Sequence, residues 1–518
     1  MRALSPRICF AFLLTLSPAL AEDTVALRVD SAQPGAKIDR HIFGQFTEHL
    51  GSQIYGGIWV GKTSKIPNTR GIRKDVVAAL KDLHVPVVRW PGGCYADQYH
   101  WRDGIGKKRA ARLNAAWGNS VEPNSFGTHE FMDFAEQIGA EPYVSVNIGS
   151  GTVKEAADWM EYMTAPTTSS LGQERAANGH PAPYGVNFLG LGNESWDCGG
   201  LMTPDDYLQQ MKLYARFINN YNSKVPTQKV AVGPGTADTA YTEAVMKTWK
   251  DRKGWSFDLN GLSLHSYTVF DGWPPHMPAT DFGEKDYANV LKETLKMEPL
   301  IQLQTAVMDK YDPEKKISLT VDEWGAWLAP TKGSNPAFLQ QQNSQRDAIL
   351  TALNFNIFAR HADRVRMTNI AQMVNVLQAM ILTDGGKMVL TPTYHVFKMY
   401  VPFQDASFVP VSYDAGSYKV GDTSLPRVDV IAAKTKDGKI VIALTNIDPS
   451  KAVQFEISIA DAKTGNAHGQ SLTAPKPDSI NSFTAPNTVT PKAITAVVKD
   501  GKVSVTLAPA SVTVLTLD

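Results

Sequence analysis

Cysteine is nearly missing from this chain: three residues in 518, at Cys9, Cys94 and Cys198. So few exclude a small scaffold held together by disulfides. None falls in a CxxC, and their spacing fits no zinc site. An excess of charge is missing too. Lysine plus arginine and aspartate plus glutamate both number 51, for a net charge of zero. No basic stripe suits nucleic acid, and no like-charge run marks a disordered tail. No apolar run approaches the ~20 residues of a membrane-spanning helix. Repeats of solenoid period and low-complexity tracts are also lacking. What is present is ordinary globular composition, 43 % hydrophobic and 20 % charged. That is enough for about two to four domains with real cores. A neutral surface suits a neutral substrate.

The N-terminus has the pattern of a processing signal. Arg2 and Arg7 flank the start, residues 8–16 are apolar, and Ala19-Leu20-Ala21 is a small-x-small site. The expectation is a signal peptide over residues 1–21, cleaved after Ala21, and a periplasmic or secreted protein with no membrane contact in its mature form. Export would permit a bond between Cys94 and Cys198. Both follow strands whose ends should share one face, and the sequence leaves a disulfide or two free thiols open.

Residues 24–29 alternate like a strand. From residue 42 the pattern becomes strand, helix, strand, helix. Strands are expected over 42–48, 85–90, 143–148, 186–194, 229–233, 261–267, 317–324 and 365–374. Most are apolar throughout, as when both faces are buried. Helical spacing fits 72–83, 128–138, 287–308 and 344–359, and a further helix opens at Thr203-Pro204, an N-cap followed by proline at N1. Eight such repeats over roughly 350 residues predict a (β/α)8 barrel. After residue 400 the chain turns all-β. Lys436-Asp437-Gly438-Lys439 and Lys499-Asp500-Gly501-Lys502 join alternating runs as short hairpins do, which predicts a β-sandwich. Residues 475–492 form a polar, proline-bearing loop.

Barrel active sites lie at the C-terminal ends of the strands. Here those ends are polar: Glu48 and His49 on strand one, Arg89 to Cys94 on strand two, Asn147 on three, Asn193 and Glu194 on four, His265 and Tyr267 on six, Glu323 on seven, Gln372 and Asn375 on eight. Strand five ends in Gly233-Pro234-Gly235, with no functional side chain. Glu194 in Gly192-Asn193-Glu194-Ser195-Trp196 and Glu323 in Asp322-Glu323-Trp324 supply the carboxyl pair that glycoside hydrolysis needs. Blander readings exist: a cap or ion pair for the two glutamates, a structural pair for Glu48 with Arg89, a core histidine for His265. Trp90 and Trp101 fit the core better than a substrate platform. His276, in Gly272-Trp273-Pro274-Pro275-His276, fits a solvated loop tip better than a rim contact.

These motifs reach a known family. Gly44-Gln45-Phe46-Thr47-Glu48-His49-Leu50, Arg89-Trp90-Pro91-Gly92-Gly93, Tyr99-His100-Trp101-Arg102-Asp103-Gly104, Gly192-Asn193-Glu194, Ser263-Leu264-His265-Ser266-Tyr267, Asp322-Glu323-Trp324 and Ala371-Gln372-Met373-Val374-Asn375 stand in the order of glycoside hydrolase family 51. The chain resembles that family's α-L-arabinofuranosidases over nearly its whole length. The resemblance implies Glu194 as acid/base, Glu323 as nucleophile, and Glu48, Arg89, Asn193, His265, Tyr267 and Gln372 around the sugar, with Trp117 and Trp327 as apolar walls. One departure stands out: the family pattern often has asparagine after Pro-Gly-Gly, at a sugar contact, where this chain has Cys94.

The combined expectation is an α/β protein. Its parts would be an N-terminal strand over 22–40 joining the sandwich, a (β/α)8 TIM barrel over 41–398, and a jelly-roll-like β-sandwich over 399–518 that buttresses the barrel. It would be a retaining, exo-acting α-L-arabinofuranosidase on arabinoxylan, arabinan or oligosaccharides. It would have no metal or organic cofactor and no nucleic-acid partner, and by resemblance it would form a homo-oligomer. A related retaining β-xylosidase or endo-glucanase, and a non-catalytic carbohydrate-binding protein, are the alternatives.

Overall fold

The computed structural model describes residues 24–254, 257–460 and 465–518. The expected signal over 1–21, with Cys9, lies outside them. Eight parallel strands close into a barrel: β1 (Gly44–Phe46), β2 (Val87–Trp90), β3 (Glu141–Val146), β4 (Phe188–Leu191), β5 (Gln228–Ala231), β6 (Gly261–Thr268), β7 (Ser318–Ala326) and β8 (Val365–Ile370). Each pairs with its neighbours in sequence, and β8 closes on β1 through Asn369 opposite Gly44. All four residues of β2 and of β4 are buried, as the apolar runs predicted. Several strands stop short of their polar ends. Glu48 lies beyond β1, and Asn193 and Glu194 lie beyond β4, in the loops that crown the barrel.

Helices fill the connections. The helix Thr128–Ile138 has the expected bounds. The helix expected over 287–308 is two, Glu284–Thr294 and Met297–Tyr311. Pro299 is the cause. It lacks an N–H and is tolerated only in a first turn, so the chain begins a new helix just before it. Helices Val153–Thr164 and Ser170–Ala177 were not anticipated. Their starts carry ordinary signals: Thr152 and Ser169 accept the Glu155 and Gly172 amides.

The C-terminal strands form two sheets. One holds, in order, Val411–Ser412, the N-terminal strand Thr24–Val29, Val453–Ile459, Lys502–Leu507 and Val497–Lys499. The other has six strands centred on Ile440–Asn446 and Ser511–Leu517. Val453–Ile459 alternates buried and half-buried along its length, and its inward side chains meet Ile442, Leu444 and Leu515 of the other sheet in one apolar core. The Asp500-Gly501 turn has φ of 53° and 78°, the geometry of a two-residue hairpin.

The helix Gln345–Arg360 joins barrel and sandwich. All its residues but Arg360 are buried, so it is a core helix rather than an amphipathic one. Several of its polar side chains bond across to the sandwich. Asn356 and Arg360 donate to Asp429 at 2.9 and 3.0 Å, and Gln345 donates to the Ala510 carbonyl at 2.8 Å. Trp90 and Trp101 are core residues, as expected; Trp90 stacks on Phe131 with centroids 4.7 Å apart.

At the closed end of the barrel, His41 lies 2.8 Å from Asp39 and 3.2 Å from Glu141 at the start of β3. Burial works against its charge, but both carboxylates outweigh that and raise its pKa from 6.5 to about 9. A raised folded pKa stabilises fully below the unfolded value and loses that stabilisation as pH climbs through the folded one. The stability advantage of wild type over His41→Gln, measured by urea unfolding, should therefore shrink by about 2 kcal/mol between pH ~6 and pH ~9.5.

Candidate active site

Glu323 sits within β7, where the strand slips register against both neighbours. In a regular strand successive side chains face opposite ways. A local irregularity re-aims them, and here Asp322 and Glu323 both turn towards Arg89. The Arg89 guanidinium, at the end of β2, is 1 % exposed. Its Nη1 donates to Glu323 at 2.7 Å, its Nη2 donates to Asn193 Oδ1 at 2.6 Å, and its Nε lies 3.6 Å from Asp322. Tyr267 at the end of β6 donates its hydroxyl to the other Glu323 oxygen at 2.6 Å. Glu323 is thus held by a cation and a phenol, the donors an ionised carboxylate needs.

Glu194 follows a turn in which Gly192 has φ 93° and Glu194 itself φ 36°. A side-chain-bearing residue keeps a positive φ only where its surroundings enforce it. Buried Asp97 accepts the Asn193 amide at 3.0 Å and the Ile148 and Gly149 amides at 2.7 and 2.8 Å. The Glu194 carbonyl accepts from Asp197 and Gly199. Cys198 is bonded to Cys94, with Cα atoms 5.4 Å apart. The choice that the sequence left open is settled as a disulfide, and it ties the loop after β2 to the loop after β4.

His265 bridges the carboxylates. Its Nδ1 is 2.8 Å from Glu194 and 3.6 Å from Glu323, and its Nε2 is 3.2 Å from Asp322. Burial opposes its charge, but Glu323, Asp322 and Glu194 raise its pKa to about 10. Glu194 is raised by burial and by the charge of Glu323, against the pull of His265. Asp322 is held low: burial would lift it, but Arg89 and His265 prevail. Glu48 is lifted to about 7, first by burial and then by Glu323.

Glu194 and Glu323 face one cavity of about 500 Å³, with a carboxylate oxygen from each within 4.8 Å of the other. Nine of the eleven site residues expected from the sequence line it: Glu48, Cys94, Trp117, Glu194, His265, Tyr267, Glu323, Trp327 and Gln372. Arg89 and Asn193 do not reach its surface. They form a layer behind it, Arg89 bonding Glu323 through Nη1 and Asn193 through Nη2. On the polar wall Glu48 accepts from the Gly93 and Tyr95 amides, from Trp117 Nε1 at 3.0 Å and from Gln372 at 2.9 Å. Gln372 Oε1 is buried without a partner, an acceptor suited to a sugar hydroxyl.

Other polar strand ends are structural. Asn147 braces its own turn through the Ser150 and Gly151 amides. Asn375 bonds Ser52 and Thr383. His49 is buried beside Glu122 among aromatic rings. Strand five contributes room rather than a side chain: a Cβ on Gly235 would lie 2.4 Å from the Trp196 ring, which also lines the cavity. Trp273, 63 % exposed, stands edge-on to Trp327 at the rim. Sequence reasoning passed over Trp196, Trp273, Asp97 and Asp322. The first two are aromatics in loops beside the motifs, and that neighbourhood was the available signal.

The fold and this pair of carboxylates are those of a barrel glycoside hydrolase. Residues 79–269 match the family description "Alpha-L-arabinofuranosidase 1 domain", and residues 322–511 match "Alpha-L-arabinofuranosidase C-terminal domain". A protein of Bacteroides ovatus named intracellular exo-alpha-L-arabinofuranosidase is 44 % identical over 98 % of both chains. The crystal structure of the GH51 arabinofuranosidase from Xanthomonas axonopodis pv. citri is 49 % identical, with TM-score 0.93 over 96 % of this chain and 100 % of that one. The arabinose complex of the Thermotoga maritima α-L-arabinofuranosidase is 30 % identical, with TM-score 0.80 over 95 % and 99 %. The chain belongs to the α-L-arabinofuranosidases of glycoside hydrolase family 51. One expectation is corrected by the same comparisons. The periplasmic or secreted location does not stand, since the Bacteroides ovatus relative, matched end to end, is named intracellular.

Arg89 is the buried charge whose loss should be felt most. Lysine cannot span Glu323 and Asn193 at once. Arg89→Lys should lower kcat/KM by at least about a hundredfold, because misplaced catalytic groups cost that much. Arg89→Met should in addition lose about 3 kcal/mol or more of stability by leaving buried carboxylates uncompensated. Steady-state kinetics and denaturant unfolding check the two.

Proposed function

We propose that the chain is a retaining, exo-acting α-L-arabinofuranosidase in which Glu323 is the nucleophile and Glu194 the acid/base. The observation that carries this is the spacing of the two carboxylates, whose nearest oxygens lie within 4.8 Å across one cavity. That is the narrow separation of a double-displacement pair, about 5–5.5 Å, rather than the wider one that leaves room for an attacking water. Glu323, charged and held by Arg89 and Tyr267, attacks the anomeric carbon. Glu194, whose pKa burial and Glu323 raise, gives its proton to the leaving oxygen. Once Glu323 is esterified its charge is gone, so the repulsion on Glu194 falls and its pKa drops. Glu194 then accepts a proton from the water that releases arabinose. Glu48 and Gln372 receive sugar hydroxyls on the polar wall, and Trp117, Trp327 and Trp273 supply apolar surface.

Substrates in this reading are terminal arabinofuranosyl groups of arabinoxylan, arabinan or their oligosaccharides. Residues 41–398 form the catalytic unit, and 399–518 with 22–40 form the buttress, which the shared helix Gln345–Arg360 supports. Hydrolysis of an aryl α-L-arabinofuranoside, with none of an aryl β-xyloside or of a glucan, tests the activity. The converse result would replace it with one of the alternative hydrolases.

Glu323→Ala should abolish turnover, since no glycosyl-enzyme can form. Glu194→Ala should slow natural substrates far more than aryl arabinosides, whose leaving groups need little protonation, and azide should restore part of its rate. Equal losses on both substrates, without rescue, would remove Glu194 from this role. The pH profile follows from the sign of its shift. The acid works protonated, so kcat/KM should fall as pH rises through the raised Glu194 pKa. With an activated aryl substrate Glu194→Ala should lack that alkaline limb.

A further inference from the structure

Cys198 Sγ lies 3.4 Å from Glu194 Oε2. The two sulfurs and a Glu194 carboxylate oxygen lie within 4.8 Å of one another, and Cys94 and Glu194 line the cavity. Cys198 is exposed and Cys94 half-exposed, so the bond can be reached by a small thiol from solvent. Three features follow from chemistry alone. A dithiol can reduce this bond: it gives up two electrons and two protons, leaves as its own cyclic disulfide, and frees Cys94 and Cys198 as thiols. Two thiols beside a carboxylate are a soft donor set with the ligand types that zinc prefers. His265 already hydrogen-bonds the far oxygen of Glu194 at 2.8 Å, the outer-shell contact that orients a ligating carboxylate.

We propose that reduction of the Cys94–Cys198 bond converts this wall into a site for a thiophilic divalent cation, with Cys94, Cys198 and Glu194 as ligands, and that the occupied site is catalytically silent. Each thiol loses a proton on binding the metal. Two thiolates on one tetrahedral zinc sit about 3.8 Å apart, so the sulfurs need to separate by only a small movement of the exposed turn that carries Cys198. Asp97 still anchors that loop through the Asn193 amide, so the ligands stay together when the bond opens. A ligated Glu194 has no proton to give, and the ion stands in the cavity beside it. The silencing part rests on Glu194 being the acid/base. The metal site itself does not.

The test uses the full chain. In the oxidised protein, zinc should leave the rate on an aryl arabinofuranoside unchanged. After treatment with a dithiol and its removal under nitrogen, thiol titration should find two more thiols than before. Zinc at about ten times its dissociation constant should then cut the rate about tenfold, and EDTA should restore it. Cobalt(II) added to the reduced protein should give a thiolate-to-cobalt absorption band, missing in the oxidised protein and in Cys198→Ser, which retains Cys9 as an internal control. A cobalt band without loss of rate would overturn the silencing. No band in reduced wild type, or the same band in Cys198→Ser, would overturn the site. If the arabinofuranosidase reading itself fails, no rate is seen in either redox state, whereas the cobalt band still reports on the site.

Discussion

The buried guanidinium of Arg89 is the charge around which this barrel mouth is arranged. Four carboxyl groups, Glu48, Glu194, Asp322 and Glu323, crowd a space with little water. Buried like charges cannot all ionise unless cations are supplied. Arg89 supplies one and His265, raised to about 10, supplies another. Two cations satisfy two anions, and geometry decides which. Arg89 touches Glu323 and lies near Asp322; His265 is shared between Asp322, through Nε2, and Glu194, through Nδ1. Glu48 touches neither cation and Glu194 touches only the shared His265, so burial pushes both upward. The difference in environment between Glu323, held by Arg89, and Glu194, raised by burial, thus follows from where the cations sit.

Position matters as much as charge. Arg89 can serve both Glu323 and Asn193 because parallel closure puts the ends of β2, β4 and β7 on one face, although 234 residues separate Arg89 from Glu323. The loop carrying Glu194 is irregular, with a positive φ at Glu194 itself. Three independent ties hold it: the Asp97 carboxylate, the carbonyl of Glu194 and the cystine. Two of them come from the segment after β2. The same segment presents Gly93 and Tyr95 amides to Glu48, so the Glu194 loop and the Glu48 wall share one foundation.

The barrel was legible because its strands are buried on both faces and read as apolar runs. The two glutamates were legible because a carboxylate at the end of such a run is costly without a purpose. Elsewhere the same pattern misled. Asn147, Asn375 and His49 also end apolar strands, yet their partners are local backbone or neighbouring side chains. A polar strand end looks alike in sequence whether it serves a turn or a substrate. Asp97 and Asp322 were passed over for the opposite reason. Their roles lie in contacts with segments remote in the chain, such as Tyr143 with Asp322 across 179 residues, and no local spacing encodes such contacts. The broken helix at Pro299 was legible and was missed, since apolar periodicity outweighed a proline whose meaning depends on which turn it occupies.

The walls of the cavity differ in a way that bears on what part of a polysaccharide can enter. Behind the carboxylates the floor is sealed by Arg89, Asn193 and Asp322, all at most 2 % exposed. One side is closed by Glu48, Gln372 and Trp117, joined by direct hydrogen bonds. A sugar chain cannot pass through such a floor; it can only end there. Elsewhere the lining is aromatic, with exposed Trp273 against Trp327, and with Trp196. Flat apolar faces tolerate many sugars, whereas buried hydrogen-bonding groups reject any sugar whose hydroxyls leave them unpaired. Selection for the terminal residue therefore belongs to the polar wall of Glu48 and Gln372, and tolerance for what it is attached to belongs to the aromatic surface.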